Sequence, residues 1–309
     1  MTDRIDAPPA IAPTDAASVA LLAAAGVPLK RRTGFDIARR NFLKNRGAVI
    51  GLVLIVALIL VGVFADLIAP YDPIAQTRTF LGAPSYLHPF GTDALGRDML
   101  SRVIHGTRIS LAVGIGAVMI ALVIGMVIGL LGGYFGGRVD AVVVMVIDTF
   151  MSFPGLLLAM VVATMFGTSL PVVMLAVGLG EFTLFARLVR SAVYAERSRD
   201  YVLASRSVGA NSLFILIRHI IPNILPSLIV LVTLSVGNAI LSAAALGFLG
   251  LGAQPPIPEW GNLVNVGRDY IQMAPWLIWF PGIAIMITVL GANLLGDGLR
   301  DALDPKLRR

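Results

Sequence analysis

The chain reads as an all-α polytopic membrane protein with six transmembrane helices, and three observations carry that reading. Hydrophobic residues make up 57% of the 309 positions and charged residues 14%, where a soluble domain carries about 25% charged residues. Uncharged windows about as long as a bilayer crossing, ~20 residues, recur along the chain. The basic residues gather between alternate windows, as the positive-inside rule requires.

Residues 1–33 precede the first window. The apolar stretch 16–27 follows acidic residues and prolines and is followed by Lys30-Arg31-Arg32, the reverse of a signal peptide. It reads as a disordered Ala/Pro-rich tail, with an interfacial helix as the alternative. Residues 34–46 place Phe35, Ile37, Phe42 and Leu43 among basic residues, a pattern that suits a helix lying along the inner leaflet. The first span is 47–65, between Arg46 and Asp66. The second falls within 109–137, between Arg108 and Arg138.

The stretch 141–181 is too long for one crossing. A turn at Gly167-Thr-Ser-Leu-Pro171 divides it, because a helix tends to stop before the residue preceding proline. The fifth span follows Pro226 and runs to about Gly250. The sixth falls within 270–296, starting near Pro275. With both termini cytoplasmic, the segments 1–47, 132–139, 187–218 and 298–309 carry 19 of the 24 Lys and Arg, and the outer segments 66–108 and 251–275 carry five. The net charge of +6 thus reports topology, and no nucleic-acid role is needed to account for it. With no cysteine, no disulfide framework or thiolate metal site can form.

A polar island, Glu196-Arg-Ser-Arg-Asp-Tyr-Val-Leu-Ala-Ser-Arg-Ser-Val-Gly209, interrupts the apolar sequence. Tyr201, Ala204 and Val208 fall at i, i+3 and i+7, the narrow apolar stripe of a short helix. From Arg199 to Val208 such a helix is ~15 Å long. Gly209 suits the left-handed residue that ends a helix, and Asn211 or Ser212 suits the cap of the next one. The resulting corner is either a rigid knob for a partner protein or an amphipathic loop helix resting on headgroups.

Gly125, Gly129, Gly133 and Gly137 recur every four residues, extended by Ala117 and Ala121, a ladder that admits close helix approach. Packing is its plain role, direct substrate contact the sharper one. Asp148 and Glu181 lie inside apolar runs, where ionisable groups are functional candidates by default. For Asp148 the plain alternative is an ion pair with Arg187 or Arg190 near the membrane boundary. For Glu181 it is a position misjudged by one turn.

The sequence contains no Gly-x-x-x-x-Gly-Lys-[Ser/Thr] loop, so ATP binding is not expected on this chain. Gly-x-Ser-x-Gly and His-Glu-x-x-His are missing as well, and His88, His105 and His219 lack ligand spacing. An enzyme is not expected, and neither is a resident cofactor or metal.

The island and its sequel, Arg218-His-Ile-Ile-Pro222-Asn223, resemble the Glu-Ala-Ala signature loop of ABC-importer permeases. Ala204, Gly209 and Pro222 are in register, Leu203 stands at the glutamate position and Ser205 at the second alanine. Three further segments resemble the second permease subunit of dipeptide, oligopeptide and nickel importers. They are Phe90-Gly-Thr-Asp-Ala-Leu-Gly-Arg-Asp98 with Ser101-Arg102, then Gly247-Phe-Leu-Gly-Leu-Gly-Ala-Gln-Pro-Pro-Ile-Pro-Glu-Trp-Gly261, and Asn293 through Arg308. The chain departs from relatives at Met145, where an arginine is frequent, and at Phe182-Thr183, where Trp-Pro is common.

This resemblance covers roughly residue 35 onward and implies a type I ABC importer permease fold. Residues 34–106 would form the lead-in, first span and external segment, and 107–297 the transmembrane core with the loop 196–222. Residues 298–309 would be a cytoplasmic tail. The island would be a coupling helix seated in an ATPase subunit, with Arg199, Asp200, Tyr201, Ala204, Ser205 and Gly209 at the contact. The implied partners are a homologous permease subunit, two cytoplasmic ATPases holding ATP and magnesium, an external solute-binding protein and membrane lipid. Spans two to six would pack against the sister permease around a central pathway, in a bacterial inner membrane. The implied solute is a di- or oligopeptide, with nickel or glutathione as alternatives. A stand-alone channel or ion-coupled carrier is the competing class, and it would depend on Asp148 or Glu181.

Overall fold

The computed structural model describes residues 34–303, and regular structure among them is helical. The expected N-terminal tail 1–33 and the last part of the C-terminal motif, 304–309, lie outside the described residues. The chain starts with α1 (Gly34–Lys44) and turns at Asn45 into α2 (Arg46–Val63). The Asn45 side chain accepts a hydrogen bond from the Ala48 amide, which satisfies one of the open donors at a helix start. A short α3 (Ala65–Ile68) leads out of the first span.

The second span belongs to α4 (Met99–Phe135), which begins ten residues before the apolar window. At 1.5 Å per residue its 37 residues extend ~55 Å, well beyond a ~30 Å hydrocarbon core. The surplus first turns stand in a polar platform made by the preceding loop. There Asp93 accepts from the Arg97 Nε at 2.7 Å and from the Leu95 and Arg97 amides, each at 2.9 Å. Asp98 caps α4 by accepting from the Ser101 amide and hydroxyl, and its other oxygen meets His88 Nδ1 at 2.8 Å. Asp93, Arg97, Asp98 and Arg102 are all buried, and buried charge persists where it is paired in this way. Asp66 reaches Arg108 at 2.9 Å and His105 at 3.1 Å. The hydrogen bond from Arg108, then that from His105, holds the Asp66 carboxyl below its usual range.

The third span is broken. α5 (Gly137–Met151) and α6 (Gly155–Phe166) meet at 84° across Ser152, Phe153 and Pro154. The expected turn at Gly167 separates α6 from α7 (Leu170–Glu196). Among the described residues five helices are long and apolar enough to cross a membrane, or six if the bent pair counts as one span. After α7 come the loop helices α8 (Asp200–Ser207) and α9 (Ser212–Ile215), with a single π turn over Leu216–Ile220. The fifth span, α10 (Ile221–Phe248), carries Pro226 inside it and so starts earlier than the sequence suggests. α11 (Trp260–Arg268) lies outside the spans. α12 (Trp276–Leu303) runs past Gly296, so the described part of the expected tail is helical.

Pairwise contacts set the ends of the bundle. α4 and α7 run side by side in the same direction, with Gly125 against Phe182, Gly129 against Val189 and Gly133 against Val193. α12 runs opposite to α2 and α10, as Gly51 meets Gly291 and Gly296 meets Leu234. One end of the bundle therefore gathers the start of α2, the ends of α4, α7 and α12, and the start of α10. At the other end Glu259 caps α11 by accepting from the Gly261 and Asn262 amides at 2.9 Å each, and burial raises its carboxyl pKa. Next to it the Trp260 indole donates to the Val103 carbonyl at 3.1 Å, and the Trp260 amide donates to the Ser110 hydroxyl at 3.2 Å. These bonds fasten α4 to the segment between α10 and α12.

Candidate functional site

At the first of these ends the polar island forms the expected corner. α8 is flanked by Arg199 and Val208, and Gly209 follows with φ +85°, a conformation open to glycine and strained for residues with a Cβ. Asn211 then caps α9 by accepting from the Phe214 amide at 2.8 Å. The π turn next to it widens the helix two residues before Pro222, which has no amide hydrogen and crowds the preceding turn.

One side of α8 is anchored. Val202 is fully buried in the same apolar core as Val193 and Ile220, which stabilises the corner by about 1.5–2 kcal/mol. The other side is open. Tyr201, Leu203 and Ala204 on α8 and Val208 just after it are exposed, as are Leu213, Phe214 and Ile217 beyond the glycine. So many exposed apolar side chains on one polar-rimmed knob mark an interaction surface. Arg199, Asp200 and Gly209 are exposed as well, and Ser205 is half-buried beside them.

Tyr201 also faces inward. Its hydroxyl donates to the Glu196 carboxylate at the end of α7 and accepts from Asn223 Nδ2 at 3.2 Å, at the start of α10. Burial, followed by the bond to Glu196, pushes the Tyr201 pKa up to about 12. The His219 ring lies edge-on to Tyr201 and to Phe214. Two arginines of the island secure the corner from another side. Arg197 donates to the Tyr134 carbonyl at 3.1 Å, and the Arg206 guanidinium sits 5.6 Å from the Tyr134 ring centroid. Val202 and the Tyr134 contacts had no signal in the sequence, because a single valine in a polar helix and a contact across 63 residues leave no local pattern.

Inside the bundle the glycine ladder packs against α7 of the same chain. A Cβ on Gly125 would stand 2.8 Å from the Phe182 carbonyl, and one on Gly129 would stand 2.7 Å from the Ala186 carbonyl. One on Gly133 would meet the Arg190 carbonyl at 2.7 Å. Gly137 is not a rung: it opens α5 with φ +56° and has open space around it.

Asp148 reaches Arg187 at 3.4 Å, and both side chains are more than half exposed. Arg190 instead pairs with Asp140 through two bonds of 2.5 and 2.8 Å. Glu181 sits mid-way along α7 with one carboxylate oxygen shut off from solvent and without a partner among the described residues. No group of three or more metal-ligating side chains occurs among the described residues.

These features coincide with a family pattern. Residues 121–309 match the family described as "Binding-protein-dependent transport system inner membrane component", and residues 35–89 match "N-terminal TM domain of oligopeptide transport permease C". The chain belongs to the first of these families. It is an ABC importer permease and a multi-pass inner-membrane protein.

Among similar proteins, the dipeptide transport system permease protein DppC of Escherichia coli (strain K12) is 49% identical over 275 residues, 87% of this chain and 92% of that one. The di/tripeptide transport system permease protein DppC of Pseudomonas aeruginosa (strain UCBPP-PA14) is 45% identical over 276 residues, 87% of this chain and 91% of that one. The glutathione transport system permease protein GsiD of Shigella flexneri serotype 5b (strain 8401) is 45% identical over 283 residues, 91% and 93% of the two chains. A solved structure, the MetNI methionine ABC transporter in inward-facing conformations, is 20% identical and covers 67% of this chain and 98% of its own, with a TM-score of 0.55. It shows the type I ABC importer permease fold.

Proposed function

We propose that this permease forms half of the translocation pathway of an ATP-driven peptide importer. Its partners in this reading are a homologous permease, two ATPase subunits that hold ATP and magnesium, and an external binding protein. The end of the bundle that bears α8 faces the cytoplasm, in line with the distribution of Lys and Arg. The observation that carries the reading is the knob at Asp200–Ser207 in a chain of this family, anchored by Val202 and exposing an apolar surface that the described residues leave uncovered. ATP-driven closure of the ATPases would push on α8. Tyr201 would pass the push to α7 and α10 through its two hydrogen bonds.

Di- and tripeptides are the favoured solutes, since two of the similar permeases are named for them. Glutathione, itself a small peptide, is the second reading, favoured by the 45% identity to a glutathione permease.

The test is uptake by the reconstituted complex. Proline fixes φ near −65°, and Gly209 needs +85°, so Gly209→Pro will break the corner without touching a membrane span. Expected is a loss of uptake to below about a tenth, with unchanged amounts of inserted subunit. Reversing the charges at Arg199 and Arg206 will act in the same direction. Normal uptake by such inserted variants would sink the docking role. Uptake by this chain alone in liposomes, dependent on a proton or sodium gradient, would favour a carrier.

A further inference from the structure

A groove of about 660 Å³ opens between α7, α10 and α12 in the half of the bundle nearest α8. Leu188, Val230, Leu231 and Leu234 line it, and two guanidinium groups border it, Arg187 from α7 and Arg300 from α12. Among the described residues Arg187 has only its loose contact to the exposed Asp148. Arg300 has no hydrogen-bond or ion-pair partner among the described residues. Asn293 and Asp297 precede Arg300 at helical spacing, and all three are exposed on α12.

Arg187 lies about two and a half turns inside the end of α7. The charge count assigns 187–218 and 298–309 to the cytoplasmic side, so both guanidinium groups stand in water-filled space. The groove is thus a hydrated face with apolar walls. Its size falls in the ~300–1,000 Å³ range of small-ligand sites. Its charges are mixed: two cations in the groove, with Asp148 beside Arg187 and Asp297 one turn before Arg300. That pattern complements a zwitterion, whereas the phosphate of an anionic lipid would face both carboxylates with no cation of its own to offer them.

We propose that this groove is a subsite on the solute pathway that holds the terminal carboxylate of a peptide. Arg300 and Arg187 grip the carboxylate, since a guanidinium matches its two oxygens in a fork. The peptide's apolar side chains lie on Leu188, Val230 and Leu231, and Asp148, released from Arg187, faces its ammonium. The inference rests on the reading of the chain as a peptide importer permease.

Ser191 also lines the groove, and the chain has no cysteine. In the assembled complex a Ser191→Cys probe can therefore be followed on this subunit alone. Millimolar dialanine should slow its labelling by a methanethiosulfonate reagent roughly tenfold. Dialanine amide, which lacks the carboxylate, should not protect. Arg300→Gln should abolish the protection and Arg300→Lys should keep most of it, which separates loss of charge from loss of fold. Equal protection by the amide, protection by added phosphatidylglycerol in place of dialanine, or no protection at all would each overturn the subsite. Failure of the unmodified complex to take up dialanine would instead overturn the importer reading, since labelling is measured without transport.

Discussion

Tyr201 joins three helices through one oxygen atom. Its ring and the neighbouring Leu203 belong to the open surface of α8, while its hydroxyl bonds Glu196 of α7 and Asn223 of α10. In the proposed importer a residue so placed would transmit displacement, and its loss should uncouple the machine more than unfold it. Tyr201→Phe keeps the ring and removes two hydrogen bonds, each worth about 1 kcal/mol. The subunit should therefore insert and assemble, while solute moved per ATP hydrolysed falls severalfold. The sign of the pH dependence follows from the raised pKa of about 12. The neutral hydroxyl is the favoured form, so the tie is fully present below the ordinary tyrosine pKa near 10 and is lost only as pH rises through the folded value. The ratio of wild-type to Tyr201→Phe coupling should accordingly stay flat between about pH 6 and 9. A ratio that changes across that interval would count against the tie.

At the scale of elements, the α4–α7 pair is the part of the fold least tolerant of added volume. A Cβ on Gly129 would come within 2.6 Å of the Val189 Cβ and 2.7 Å of the Ala186 carbonyl, and the latter is helix backbone that cannot rotate away. Gly129→Ala should cost about 1–3 kcal/mol as overpacking. Gly129→Leu should prevent stable assembly, and both effects can be read by thermal unfolding of the detergent-solubilised subunit. This ladder was visible in the sequence because a four-residue spacing is itself the geometry of a helix face. The break in the third span was not. The proline signal that placed the turn before Pro171 is repeated at Phe153-Pro154-Gly155, but only the first was needed to divide the apolar window. The early start of α4 was hidden for another reason. Arg102 and Arg108 interrupt the apolar run, and only the fold shows that Asp93 lies near the first and that Asp66 pairs with the second. The corner after α8 could be read from Gly209 and Asn211, because caps are local; its anchor Val202 could not, because burial is not.

Over the whole molecule the two ends differ in kind. One is closed, with buried Asp93, Arg97 and Asp98 in bonded networks and Trp260 and Glu259 tying α4 to α11. The other carries the open apolar knob and most of the cations outside the platform. Such asymmetry suits a protein that receives its cargo on a rigid face and its work from a movable partner on the opposite one, and it makes orientation the property on which the rest depends. The absence of cysteine turns orientation into a direct measurement. Tyr86 in the platform is 100% exposed and Val208 on the knob is 85% exposed, so each accepts a cysteine without disturbing packing. In intact spheroplasts a membrane-impermeant thiol reagent should label Tyr86→Cys within minutes and leave Val208→Cys unmodified until the membrane is opened. Supplying the ATPase subunits to opened, inverted vesicles should then shield Val208→Cys, because the knob becomes covered, and leave Tyr86→Cys unaffected. Labelling of Val208→Cys from the outside would reverse the assignment of the two ends and, with it, the direction in which ATP could drive the solute.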